Sequence, residues 1–182
     1  MSTATSLTVA EFYAWTADRE GVWELVGGVP VMVPPESHEN VYAASSLQDL
    51  LRARGLSRQE WFIAAHAALD LPLPTPTLRL PDLLVARLSP GGELRVGAAN
   101  TLLVVEVLSP STARTDLGTK RREYARAGIP NYLVVDVRGP LPTLRLFNQI
   151  VDNDYLDATP CDQVSLQFGD QVIDLAATDL LR

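Results

Sequence analysis

The chain is nearly devoid of cysteine and of lysine. Cys161 is its one thiol, so no internal disulfide can form, and a reducing cytoplasm is the simplest setting. It follows Pro160 in a polar stretch with no histidine nearby, and nothing marks it as reactive. No stretch reaches the roughly 18 apolar residues that a spanning helix needs, so no membrane partner is expected. Residues 1–9 lack the basic and apolar regions of a signal peptide. Histidine occurs only at His38 and His66, which have no metal-ligand spacing to each other, and both are read as structural. There is no Walker loop, no Gly-x-Ser-x-Gly elbow, no dinucleotide fingerprint and no zinc cluster, so the sequence supports none of those chemistries.

What is present fits one domain over residues 1–182, long enough for a real core. Apolar residues make up 47% of the chain and mean hydropathy is +0.07, as in globular proteins. The net charge of −7 argues against a broad nonspecific DNA-binding surface, since phosphate contacts come from basic groups. Those groups are clustered. Arg114, Lys120, Arg121, Arg122 and Arg126 lie close together, Arg52, Arg54 and Arg58 form a second group, and the last 31 residues are dominated by acids. Both basic groups are also what a solvated helix face looks like.

Thr8-Val9-Ala10-Glu11 has capping-box spacing, and a short helix is expected over about 9–18. Val22 to Val26, Gly27-Gly28 and Val29 to Val33 read as a hairpin whose second arm, with Pro30, belongs at a sheet edge. Residues 37–54 have a helical period and 61–71 read as a strand. The runs 83–88 and 102–108 are apolar throughout, as in strands buried on both faces. A glycine-rich loop over 90–97 separates them. Next come a helix over about 113–127, stopped by Gly128 and Pro130, a strand over 132–137, and further strands over 143–147 and 164–168. The unit from 102 to 137 is a parallel crossover, whereas the earlier strands have connections too short for anything but antiparallel pairing. The expected fold class is α/β: a mixed β-sheet flanked by helices, with an N-terminal helix and a β-hairpin added.

Two residues stand out against this background. Glu106 lies inside the apolar run Leu102 to Leu108, and a buried carboxylate is costly unless neutralised, paired or bound to metal. Lys120 is the single lysine among 15 basic residues. Where arginine fills nearly every basic position, a lysine marks a place for a compact point charge rather than a planar fork. At ~100° per residue it shares a stripe with Ala113, Leu117, Tyr124 and Ala127, the apolar stripe that should face the sheet, whereas Arg122 and Arg126 point away. Asp82 opens the preceding buried strand. If the two strands pair antiparallel, Asp82 and Glu106 converge at one end of the sheet, a donor set suited to Mg²⁺ or Mn²⁺. Plainer readings stand beside these: a loop cap for Asp82, and a structural ion pair or a snorkelling side chain for Lys120. Ser111 or Thr112 can cap the following helix. Glu24, taken alone, is an ordinary surface acid.

The segments Glu24-Leu25-Val26-Gly27-Gly28, Pro81-Asp82-Leu83-Leu84-Val85 and Val105-Glu106-Val107-Leu108-Ser109-Pro110-Ser111-Thr112 occur in that order. They are followed by Asp116, Lys120, Tyr124, Gly128-Ile129-Pro130 and Tyr132 to Asp136. This order closely resembles the Uma-two family of bacterial proteins, described as restriction endonucleases of the PD-(D/E)XK superfamily. The resemblance implies a restriction-endonuclease-like core. It maps the family aspartate to Asp82 and the second acid to Glu106. The residue two after Glu106 is Leu108 rather than lysine, and the family's displaced lysine matches Lys120. Glu24 matches a family acid near the site, for a second metal or a water. The implied activity is hydrolysis of phosphodiesters, in DNA first, with Mg²⁺ (or Mn²⁺) on Asp82, Glu106 and the Val107 carbonyl, and with Lys120 orienting water. Arg114, Arg121 and Arg122 are candidate phosphate contacts. A homodimer would suit a duplex substrate. The competing reading is a nucleic-acid-binding or assembly protein that keeps the fold without turnover.

Overall fold

The computed structural model describes residues 6–88 and 96–180. Most of the expected glycine-rich loop therefore lies outside the described residues. The first helix, α1 (Val9–Thr16), begins with the anticipated capping box: Thr8 Oγ1 accepts from the Glu11 amide, and the Glu11 carboxylate accepts from the Thr8 amide. Strands β1 (Val22–Val26) and β2 (Val29–Val33) form the hairpin. Its two-residue turn needs left-handed backbone at both positions, which Gly27 (φ 58°) and Gly28 (φ 80°) supply. A Cβ at Gly28 would also collide with Ser6. Helix α2 (His38–Ala53) is capped by Ser37, whose side chain accepts from the Asn40 amide.

The span 61–71, expected as one strand, is two: β3 (Trp61–Ala64) and β4 (Leu69–Leu71), in different sheets. His66, at φ 51°, turns the chain between them, and its amide donates to the Pro81 carbonyl at 3.1 Å. The apolar content of both halves hid this break. Strands β5 (Thr77–Arg79), β6 (Leu83–Arg87), β7 (Val96–Gly97) and β8 (Thr101–Val107) follow. After the helical segment come β9 (Asn131–Asp136), β10 (Thr143–Phe147), β11 (Ile150–Val151), β12 (Asp154–Tyr155), β13 (Gln163–Phe168) and β14 (Gln171–Ala176).

The central sheet has the order β10-β9-β8-β6-β3. Only β8 and β9 pair in parallel, and β6 and β8 are antiparallel neighbours, as the connection lengths require. Alternation sorts its side chains onto two buried faces. Leu83, Val85, Leu103, Val105, Leu133 and Val135 pack beneath α2, against Ala43, Ala44, Leu47 and Leu51, and against β13 and β14. Leu84, Val104, Tyr132 and Val134 pack on the opposite face with Tyr124, Ile129 and Phe147. Because both faces are dry, these strands carry unbroken apolar runs, and Glu106 is the exception among them. A second sheet, β2-β1-β5-β4-β7, lies beside the first, with β2 and its Pro30 at the edge. Among the described residues no helix is long and apolar enough to cross a membrane.

The helix expected over 113–127 starts as α-helix, passes through a π-helical turn, Thr115–Lys120, and continues as α3 (Arg121–Arg126). Its cap is Ser109 rather than Ser111 or Thr112: Ser109 Oγ accepts from the Thr112 amide, and the Thr112 hydroxyl accepts from the Ser109 amide. The inward stripe holds for Lys120 and Tyr124, and the π turn brings Asp116 fully inside with them. Such turns cost regular hydrogen bonding and are concentrated at functional sites.

Candidate active site: a lysine between buried acids

Three elements meet at one end of the central sheet. Asp82 stands at the start of β6, Glu106 near the end of β8, and Lys120 on the π turn that follows. The antiparallel register Leu83↔Val105 brings the two acids together. All three residues are buried and line one cavity of about 230 Å³. Lys120 Nζ lies 2.9 Å from Glu106 Oε2 and 3.2 Å from Asp116 Oδ1. The Tyr124 hydroxyl donates to Glu106 Oε1 at 2.7 Å, and the Val107 amide donates to Asp82 Oδ2 at 2.5 Å. The Val107 carbonyl accepts from Asn40 Nδ2 at 3.0 Å. Asn40 therefore fixes the end of β8 from the first turn of α2.

Burial governs the electrostatics. It raises the Glu106 carboxyl to about 8, opposed by Lys120 and assisted by Asp82 and Asp116. Burial also raises Asp82 to about 7, together with the neighbouring Glu36 carboxyl, against the Val107 amide and Lys120. For Lys120 burial works toward neutrality, but Glu106 and Asp116 outweigh it and hold the ammonium protonated. One lysine thus faces more acids than it can neutralise. Neither Asp116 oxygen receives a hydrogen bond from any described residue. Such a site favours an added cation, and carboxylates with a backbone carbonyl are the donor set that Mg²⁺ and Mn²⁺ accept.

Glu24 lines the same cavity but is otherwise engaged. Its Oε2 takes Arg79 Nη1 at 2.7 Å and its Oε1 takes the Leu80 amide at 3.0 Å. Arg79 is buried as well and bridges on to Glu123 at 2.7 Å. Both Glu24 oxygens are thus engaged, and the acid that faces Asp82 is Glu36. Arg114 and Arg122 are exposed on the helical segment. Arg121 instead turns inward: it stacks 4.9 Å over the Phe147 ring, pairs with Asp154 at 3.3 Å and donates to the Tyr155 carbonyl.

The sequence reading missed Glu36, Asn40, Arg79 and Asp116, which line this cavity, and His66 beside it. Asp116 had a signal, one turn before Lys120 on the same helix. His66 was read as structural, yet ligand atoms of Glu36, His66 and Asp82 all lie within 4.8 Å of one another. Nothing in the sequence joins three residues so far apart along the chain.

A mixed sheet with acids at the mouth of two antiparallel central strands, and a lysine on the crossover helix, defines a restriction-endonuclease-like domain. The family model described as "Putative restriction endonuclease" matches residues 9–176, so the chain belongs to the Uma2 family. The fold is shared with the crystal structure of a "putative nuclease belonging to DUF820" from Anabaena variabilis, at a TM-score of 0.68 and 14% identity, covering 96% of this chain and 97% of that one. No curated protein matches the chain.

Proposed function

We propose that this protein is a divalent-cation-dependent endonuclease that hydrolyses phosphodiester bonds in DNA. The observation that carries the reading is Lys120, the chain's one lysine, held 2.9 Å from buried Glu106 in the cavity that Asp82 also lines. Asp82, Glu106 and the Val107 carbonyl are the groups that would hold Mg²⁺ or Mn²⁺, and the surplus of buried carboxylate fits such an ion. When bound, the cation would polarise the scissile phosphate and acidify a water. Lys120 orients that water and offsets the charge that gathers on the phosphoryl oxygens in the transition state. Asp116 and Tyr124 hold the Lys120–Glu106 pair in place, Asn40 holds the end of β8, and Glu24 with Arg79 braces the wall of the cavity. Arg114 and Arg122 are the surface groups suited to the DNA backbone. A pair of copies would present one site to each strand of a duplex.

The test is nicking of supercoiled plasmid with Mg²⁺ or Mn²⁺. Wild type should nick in a chelator-sensitive way, and Lys120→Ala and Glu106→Gln should each lose about 10²–10³-fold or more, the usual loss of a transition-state-stabilising group. Cleavage that survives both substitutions rules out this site. Binding of DNA without cutting under any cation would leave the non-catalytic binding role in possession.

A further inference from the structure

Beside the Lys120 cavity stands a second donor set of different chemistry. Glu36 follows the β1–β2 hairpin, His66 sits at the left-handed turn between β3 and β4, and Asp82 opens β6. His66 Nδ1 is 3.4 Å from Glu36 Oε1, and one ligand atom from each of the three residues lies within 4.8 Å of the other two. Ligands held at roughly 2.0–2.2 Å from a common ion sit about 3–4.4 Å apart, so three atoms within 4.8 Å of one another need only a side-chain adjustment to share one cation. Two observations say that the cluster is incomplete as it stands. Glu36 Oε2 is buried with no hydrogen-bond partner among the described residues. Asp82 and Glu36 are two acids drawn together, with no lysine or arginine among the described residues in an ion pair with either, an arrangement that a cation relieves.

We propose that Glu36, His66 and Asp82 form a second divalent-metal site, selective for a transition ion such as Mn²⁺ or Zn²⁺ over Mg²⁺. Imidazole is the discriminating ligand: nitrogen suits the first-row transition ions, whereas Mg²⁺ prefers oxygen alone. Asp82 belongs to both donor sets, so this site deepens the nuclease reading by placing two cations side by side. Its occupancy does not depend on cleavage. His66 is partly exposed, which gives the ion an entry path.

The experiment is pulsed electron paramagnetic resonance of Mn²⁺ bound to the tag-free, full-length protein, in a nitrogen-free buffer. The chain has only two histidines, so assignment is direct. Wild type should show ¹⁴N coupling from one imidazole. His66→Ala and His66→Asn should both lose it and bind Mn²⁺ at this site at least about tenfold more weakly, since even outer-shell partners of metal ligands contribute that much. Asparagine is chosen because it tolerates the left-handed backbone, so its loss of coupling cannot be blamed on misfolding. His38→Ala and Glu106→Gln should keep the coupling, and Glu106→Gln should do so while abolishing cleavage. Absence of ¹⁴N coupling in wild type, its persistence in the His66 variants, or its loss in a folded His38→Ala protein overturns the proposal. Coupling without plasmid cleavage would defeat the nuclease reading and leave the metal site standing, and cleavage without coupling would do the reverse.

Discussion

Among the described residues two buried cations are each clasped between two carboxylates, and they differ in kind. Arg79 lies between Glu24 and Glu123, and Lys120 lies between Glu106 and Asp116. Around Arg79 the bonds close: three guanidinium nitrogens contact the two acids, and the second oxygen of Glu24 takes a backbone amide. Around Lys120 they do not. Asp116 receives no hydrogen bond from a described residue, and Asp82 and Glu36 add further carboxyl groups without another cation. A planar fork with many donors suits a completed structural joint, and a compact ammonium suits a place that must leave room for something else. The contrast is between a cluster whose charges and bonds are matched and one that holds carboxylate to spare.

The comparison can be broken most severely at Arg79. Arg79→Ala leaves Glu24 buried against one amide, and a loss of about 3–5 kcal/mol is expected by urea unfolding, the usual consequence of removing one partner of a buried pair. Arg79→Lys should recover only part of it, because the fork is lost. A result within experimental error of wild type would show that the cluster is not structural.

A smaller effect is expected at the other cluster. Tyr124→Phe removes the donor to Glu106 Oε1, and about 1–3 kcal/mol should be lost at pH 9, where the carboxylate is charged. At pH 5, where Glu106 is protonated, the loss should shrink.

Stability should also depend on pH in a direction opposite to ordinary salt-bridged acids. Glu106 and Asp82 are raised to about 8 and about 7 by burial, so the folded state binds protons more tightly than the unfolded one. Their contribution is fully present below the unfolded carboxyl range near pH 4–4.5, and is lost as pH rises through about 7 and 8. Metal-free protein should therefore weaken across that window. Added Mn²⁺ should oppose the loss, and Glu106→Gln should flatten the slope. A metal-free protein that strengthens from pH 5 to 8 would contradict the assigned direction, provided the variant's slope differs from wild type.

The mildest expected effect is at the surface. Arg122→Ala should weaken DNA binding about equally across sequences and reduce the salt slope by about one, and Arg121→Ala should affect folding stability more than binding.

Much of this was legible in the sequence, for definable reasons. Alternation and run length exposed β6, β8 and β9 because both faces of that sheet are dry. The same feature made Glu106 conspicuous, and helical spacing turned Lys120 toward it. Antiparallel pairing of the two apolar runs placed Asp82 beside Glu106, and the family resemblance joined all three as one site. The break at His66 was hidden because a left-handed turn leaves no mark when alanines surround it. The π turn was equally silent, since an α-helical pattern and a single wide turn share nearly the same apolar stripe. Asn40, Arg79 and Glu36 reach the site from distant parts of the chain, where only tertiary structure brings them together. The inward contacts of Arg121 were not legible because helical angle alone does not show that β12 lies against that side of α3.

The proposed role of Lys120 puts it where charge alone is not enough. It is tested most directly by the rate of plasmid nicking in Lys120→Arg, measured with Mn²⁺ beside wild type on protein shown to be folded. The expected variant keeps the positive charge between Glu106 and Asp116 yet cuts at least about 100-fold more slowly, because the larger fork fills the space needed for water and phosphate. Cleavage at the wild-type rate would contradict it.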